Sequence, residues 1–134
     1  MSFAHYEFLR ANAERADLTL PLNNELTGDT YYLQTETVYV RGEAFTVRRL
    51  CVSSECKDPY APAGWMLAAE MPLCTICGEE FGMFKWKRHC KACGNVVCSD
   101  CSPETAIILE LLNIGPLRAC VHCYWGQVNL SLWI

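Results

Sequence analysis

The sequence has no apolar run approaching the roughly 18 residues a membrane-spanning helix needs, so no spanning segment is expected anywhere in its 134 residues. Its opening, MSFAHYEFLRANAERADL, carries Glu7, Arg10, Glu14, Arg15 and Asp17 where an export signal keeps its apolar core. No such signal is read there, and a cytoplasmic address is the expectation. There is no low-complexity stretch, and no repeat apart from cysteine pairs. A hydrophobic fraction of 51% and four Trp exclude a disordered tail. Bulk positive charge is missing too. The net charge is −4; residues 1–73 hold six basic and ten acidic side chains, and residues 74–134 hold five of each. Nucleic acid is therefore not expected as a partner, although a local basic patch can still hold one particular anion. No nucleophile, base and orienting acid fall into a catalytic set, so the reading is a non-enzyme.

Cysteine, by contrast, is abundant: ten residues, eight of them in the Cys-x-x-Cys pairs Cys74/Cys77, Cys90/Cys93, Cys98/Cys101 and Cys120/Cys123. In a reducing compartment such pairs are metal sites rather than disulfides. Two intervening residues let one turn present both thiolates to one ion about 2.3 Å away. Two pairs complete a tetrahedron, so four pairs imply two Zn²⁺ ions. Four thiolates leave no open coordination position, which makes the ions structural and argues against a hydrolytic zinc site. A segment of this size buries too little apolar surface to fold alone, so metal binding supplies much of its stability. Twelve residues separate Cys77 from Cys90 and four separate Cys93 from Cys98. That spacing leaves sequential ribbons and an interleaved pairing both open. Cys51 reads as a small buried hydrophobe; Cys56 and His122 receive no role.

Ahead of the cysteines, Phe3, Tyr6, Phe8, Leu9, Ala13, Ala16 and Leu18 share one face of a helix. A turn-rich piece follows. Thr30–Val40 and Ala44–Val52 then read as two strands of a hairpin broken at Arg41-Gly42-Glu43. Lys57 to Gly64, with Pro59 and Pro62, reads as a linker. Four of the five basic residues after position 73 crowd into 85–91.

From Trp65 to Tyr124 the chain resembles a FYVE domain. The likeness rests on the tryptophan nine residues before Cys74, on Cys93-Gly94-Asn95-Val96-Val97-Cys98-Ser99-Asp100-Cys101-Ser102, and on Arg118-Ala119-Cys120. It implies an interleaved ligand set: Cys74, Cys77, Cys98 and Cys101 on one ion, Cys90, Cys93, Cys120 and Cys123 on the other. The expected fold class is thus a small zinc-stabilised α+β unit. It is a cross-braced two-zinc finger of two short β-hairpins plus a C-terminal helix, preceded by an α-helix and a β-hairpin. Residues 1–64 form the N-terminal segment and linker, 65–126 the finger, and 127–134 an apolar tail.

The family grips phosphatidylinositol 3-phosphate with R-(R/K)-H-H-C-R, here Trp86-Lys87-Arg88-His89-Cys90-Lys91. The resemblance implies a headgroup site of Lys87, Arg88, His89, Lys91 and Arg118. Several changes loosen it, Lys91 in place of the family's last Arg among them. Trp86 and Arg88 replace an Arg and a His, and Ala68 stands where the family's W-x-x-D motif has its Asp, with Glu70 two residues late. Arg grips phosphate with a two-pronged fork that Lys lacks, so charge attraction is retained while stereochemical selectivity weakens. The family's membrane-inserting turret aligns with Met83 and Phe84, flanked by Phe81, Lys85 and Trp86; Phe81 is expected in the core.

The function implied is a membrane-targeting adaptor, peripheral on endosomal membranes. The alternative is a protein-interaction module that binds a small Rab-type GTPase or another protein through the N-terminal segment. The apolar run Ala106–Leu112 is expected to form a strand and core between the sixth and seventh ligands, and with the oily C-terminus it also prompts the expectation of a homodimer.

Overall fold

The computed structural model describes residues 3–15, 18, 22–53, 64–91, 93–103, 105–106 and 117–125. The first element is the expected helix, α1 (Phe3–Ala13). Tyr6, Leu9 and Ala13 recur at helical spacing and are buried, with Phe8 packed beside them. His5 and Asn12 are buried on the same helix, a polar exception that the apolar pattern does not reveal. His5 Nε2 lies 3.1 Å from Asp29 Oδ2 and its Nδ1 lies 2.5 Å from the Tyr31 hydroxyl, while Asn24 donates to the Ala4 carbonyl. Burying these groups is affordable because each has a hydrogen-bond partner.

Short β1 (Leu22–Asn23) leads into the hairpin of β2 (Thr30–Val40) and β3 (Glu43–Val52), paired antiparallel from Tyr31↔Val52 to Val40↔Glu43. The turn is tighter than the sequence suggested. Arg41 and Gly42 both take positive φ (52° and 81°) and form a two-residue loop whose twist matches that of the strands, so Glu43 already belongs to β3. β4 (Trp65–Met66) joins the other edge of β3, giving a four-stranded sheet of order β1-β2-β3-β4.

Side chains along a strand alternate between faces, and the hairpin uses both. Near α1, Tyr31, Leu33, Leu50 and Val52 join Tyr6, Leu9, Ala13, Trp65 and Leu67 in one core. Near the turn, the opposite face sends Val38, Val40, Phe45 and Val47 into a second core with Met66, Ala68, Met71 and Val96. Strand twist permits this exchange of faces along ten residue pairs. The two residues of β4 are split between the cores, Trp65 to the first and Met66 to the second.

The finger continues from a 3-10 turn at Ala68–Glu70. Single bridges join Leu73 to Glu80 and Gly82 to Lys85. β5 (Arg88–His89) pairs with β6 (Val96–Val97), and β7 (Thr105–Ala106) with β8 (Leu117–Arg118), so the two small hairpins are present. Residues 121–125 are helical, opening the C-terminal helix. A third core gathers the cysteines around Val97 and Ala119, with Ile76, Phe81 and Tyr124 packed against it. Phe81 touches both finger cores, as expected of a core aromatic. Among the described residues, no helix is long and apolar enough to cross a membrane. The expected linker at 57–63, most of the apolar run at 107–112, the tail at 127–134, Ala16 and Cys56 lie outside the described residues, as does the Phe3 side chain.

Candidate metal centre and headgroup site

The four cysteine pairs meet in two groups: Cys74, Cys77, Cys98 and Cys101, and Cys90, Cys93, Cys120 and Cys123, the sulfurs of each lying within 4.8 Å of one another. The pairing is interleaved, so sequential ribbons are ruled out. Each group opens on the same knuckle. The Cys74 N–H donates to the Glu79 carbonyl and the Gly78 N–H returns to the Cys74 carbonyl; Cys90, Asn95 and Gly94 repeat the pattern. Backbone N–H groups also reach the sulfurs, Cys98 N to Cys74 Sγ at 3.4 Å and Cys93 N to Cys90 Sγ at 3.5 Å. Cys77 Sγ and Cys98 Sγ stand 3.8 Å apart. That is the edge of a tetrahedron whose centre lies about 2.3 Å from each sulfur, the zinc–thiolate distance. The donor set fits two Zn²⁺ ions, each held by four thiolates with no position left for substrate.

Thiol acidities follow the crowding. Burial opposes the charged form of Cys74, but backbone N–H groups of Cys77, Ile76 and Cys98 outweigh it and draw this thiol down to about 7. In the second group, hydrogen bonds from Cys120 and Cys93 hold the Cys90 thiol far below its ordinary value. Cys77 and Cys101 are raised, foremost by burial. Bound zinc would favour the thiolate form at all four positions of each group.

Gly94 sits at φ +76°, and a Cβ there would meet the Gly64 carbonyl at 2.3 Å and Trp65 at 2.7 Å. The second knuckle therefore rests directly on β4. Arg49 of β3 completes the junction: it donates to Glu36 at 2.7 Å, to the Gly64 and Cys93 carbonyls at 3.2 Å each, and to the Asn95 side chain. At the far end of the hairpin, Arg41 packs over Gly78 of the first knuckle.

The residues expected at the headgroup site are gathered by the same framework. Lys87 leads into β5, which holds Arg88 and His89, and the Lys91 N–H donates to the Arg118 carbonyl of β8 at 3.2 Å. Several are engaged by the chain itself. Lys87 Nζ donates to the Ala68 carbonyl at 2.6 Å, the residue standing where the family has its Asp. His89 is only 2% exposed. Its Nε2–H donates to the Met66 carbonyl at 2.7 Å, and its ring stacks on Trp65 at 5.2 Å between centroids. Lys91 Nζ lies 4.9 Å above the Trp65 ring. Burial lowers the pKa of Lys87, His89 and Lys91 alike, because it disfavours their charged forms. Arg118 donates to the Ser102 carbonyl at 2.6 Å. The Arg88 side chain is exposed and has no hydrogen-bond or ion-pair partner among the described residues. Glu70 does not substitute for the missing Asp: both its oxygens accept from Arg48.

Beside this cluster Met83 and Phe84 are 81% and 96% exposed at the tip of a turn. Lys85 turns away from that tip to pair with Glu79 and, at 3.5 Å, with Asp100.

The FYVE zinc finger family model matches residues 64–128. By that match, over just under half of the chain, the segment is assigned as a FYVE-type zinc finger. Similar curated proteins include the human FYVE, RhoGEF and PH domain-containing protein 6, 36% identical over 76 residues, which cover 53% of this chain and 5% of that protein. Vacuolar protein sorting-associated protein 27 of Debaryomyces hansenii is 33% identical over 73 residues, 54% of this chain and 10% of that protein. The chain thus spans a small fraction of the length of either relative. The solution structure of the LM5-1 FYVE domain from Leishmania major is similar at 33% identity and a TM-score of 0.43, covering 48% of this chain and 77% of that one.

The FYVE finger of this chain also draws on residues that sequence reasoning missed. Arg49 is a single charge in a strand, with nothing local to show that it reaches the Cys93 carbonyl 44 positions away. Trp65 does more than mark a motif: it is the fully buried wall between α1 and the His89/Lys91 cluster, with Tyr6 edge-on at 6.0 Å.

Proposed function

We propose that this chain is a non-enzymatic, membrane-targeting adaptor whose FYVE finger binds phosphoinositide, preferentially the 3-phosphate, and places the protein on endosomal membranes. The observation that carries the reading is one of position. Lys87, Arg88, His89, Lys91 and Arg118 collect on β5, on the residues flanking it and on β8, immediately beside an exposed apolar tip of Met83 and Phe84. Charge and insertion on one edge suit a surface that is both anionic and oily. Inserting Met83 and Phe84 contributes roughly 1.5–3 kcal/mol each at full burial, too little to anchor alone, so the headgroup supplies the rest. Selectivity is weak, because Lys87 and Arg118 already donate to backbone carbonyls and Ala68 offers no carboxylate to the inositol hydroxyls.

An NMR titration of the zinc-loaded chain with soluble phosphatidylinositol 3-phosphate, against its 4-, 5- and unphosphorylated analogues, tests this. Saturable shifts at Lys87, Arg88, His89, Lys91 and Arg118, largest for the 3-phosphate, are expected. Equal shifts with every phosphorylated lipid would reduce the site to a charged patch, and no shift would sink the reading.

A second reading, protein binding through the N-terminal segment to a small GTPase or another partner, is favoured by one feature. β1 pairs only with Thr30 and Tyr31, so among the described residues β2 has an unpaired edge from Tyr32 to Val40, with Tyr39 71% exposed. Such an edge accepts an added strand. Line broadening at residues 32–40 on adding a candidate partner, without change at the headgroup cluster, would support it.

A further inference from the structure

The apolar tip is larger than the pair Met83 and Phe84. Trp86 is 68% exposed, and its Nε1–H donates to the Met83 carbonyl at 3.0 Å. The turn beneath is closed on itself: the Gly82 N–H donates to the Lys85 carbonyl at 2.9 Å and the Lys85 N–H returns to the Gly82 carbonyl at 3.3 Å. Three large apolar side chains are therefore carried on one short turn whose backbone is already fastened. We propose that Trp86 is a third membrane-inserting residue, and that Met83, Phe84 and Trp86 enter the interface of an anionic bilayer as one preformed unit; this rests on the membrane reading above.

Three observations select a bilayer as the occupant. The first is chemical composition. An indole is a large apolar body with one N–H, which suits the headgroup–acyl boundary, where tryptophan concentrates. The second is charge. Residues 82–91 hold Lys85, Lys87, Arg88 and Lys91 and no acidic residue. Among these, Arg88 is exposed and unpaired among the described residues, ready for lipid phosphate. Lys85 is neutralised by Glu79 and Asp100, so the tip descends without dragging an uncompensated charge. The third is preorganisation. The hydrogen bond to Met83 fixes the indole before contact, which lowers the ordering cost of insertion. Trp86 stands where a headgroup-binding Arg would be expected, so insertion takes over part of what that charge would contribute.

The test uses the zinc-loaded full chain with phosphatidylcholine–phosphatidylserine vesicles containing phosphatidylinositol 3-phosphate, some with brominated acyl chains that quench nearby indoles. The chain has Trp65, Trp86, Trp125 and Trp133, and W86F removes one fluorophore while keeping an aromatic ring. Quenching is expected in the native chain and should largely vanish in W86F, with W86F still bound. W86A should weaken vesicle partitioning by about 10-fold, with two zinc ions per chain retained because the side chain lies at the surface. Undiminished quenching in W86F, or native partitioning of W86A, would overturn the role of Trp86 while leaving the membrane reading standing. If the native chain partitions onto no vesicle, both readings fall together.

Discussion

Glu70 illustrates how little a one-dimensional motif says about where a charge is used. It lies two residues past the missing Asp, yet its carboxylate accepts from the Arg48 backbone N–H at 2.9 Å and from the guanidinium at 2.8 and 2.6 Å. Hydrogen bonding from Arg48, ahead of the opposing effect of burial, holds the Glu70 carboxyl below its ordinary value. A depressed carboxyl stabilises the fold above its unfolded value, about 4.3, and loses that contribution as pH falls through the lower folded value. Glu70→Gln should therefore cost about 1 kcal/mol near neutrality, discounted because the pair is partly exposed, with the difference vanishing in acid. Urea midpoints for both chains across that range check it; a pH-independent gap would contradict the assignment. Trp65 is the heavier case. It is fully buried and touches Tyr6, His89 and Lys91. Trp65→Ala should cost about 3–5 kcal/mol, the range for emptying a large aromatic site, and should shift the NMR signals of both α1 and β5.

At the scale of elements, the N-terminal hairpin supports the metal centres. It reaches the second knuckle through Arg49 and the first through Arg41. Arg49→Ala removes charge-assisted bonds to the Gly64 and Cys93 carbonyls and should destabilise the chain by about 2–3 kcal/mol. In a chelator competition it should speed zinc loss from the Cys90 group more than from the Cys74 group. Equal acceleration at both would show that Arg49 acts on global stability alone. This element also marks how far the sequence could be read. Alternation in Thr37-Val38-Tyr39-Val40 and the glycine at position 42 disclosed the hairpin, and the apolar spacing of Tyr6, Leu9 and Ala13 disclosed α1. Both signals are local. The change of buried face along the hairpin was not legible, because alternation marks two faces without saying which one is covered where. β1 and β4 were also hidden, since two-residue strands carry no period and exist only by pairing with β2 and β3. The metal ligands were legible as residues because the chemistry requires Cys at fixed spacing. Their interleaved pairing was implied by family likeness and is a matter of tertiary structure. The residues expected at a headgroup site lie near one another, on β5, beside it and on β8. That Lys87 donates to the Ala68 carbonyl and His89 to that of Met66 depends on β4 lying alongside β5, which no local pattern announces.

At the scale of the whole molecule, two four-thiolate centres and three small cores among the described residues tie metal to fold. A segment this small owes much of its stability to its ions. A strong chelator should therefore unfold the finger cooperatively, and since Trp65 and Met66 belong to cores shared with the hairpin, the N-terminal sheet should lose stability with it. Native mass spectrometry should give two zinc ions per chain, and circular dichroism during chelation should report the coupled loss. An N-terminal sheet that stayed intact would show that residues before 65 fold on their own. The homodimer prompted by the apolar run and the C-terminus remains a proposal at this scale. Light scattering giving a monomer mass across a wide concentration range would remove it. A finger that reads a phosphorylated inositol lipid at a membrane surface, despite its altered motif, should float with vesicles that carry that lipid. The most direct measurement is flotation of the zinc-loaded full chain with phosphatidylcholine–phosphatidylserine vesicles carrying the 3-, 4- or 5-phosphate of phosphatidylinositol, or none. The greatest recovery is expected with the 3-phosphate, reduced recovery with the other two, and the least without phosphoinositide. Equal recovery on all four vesicle types, or on none, would contradict it.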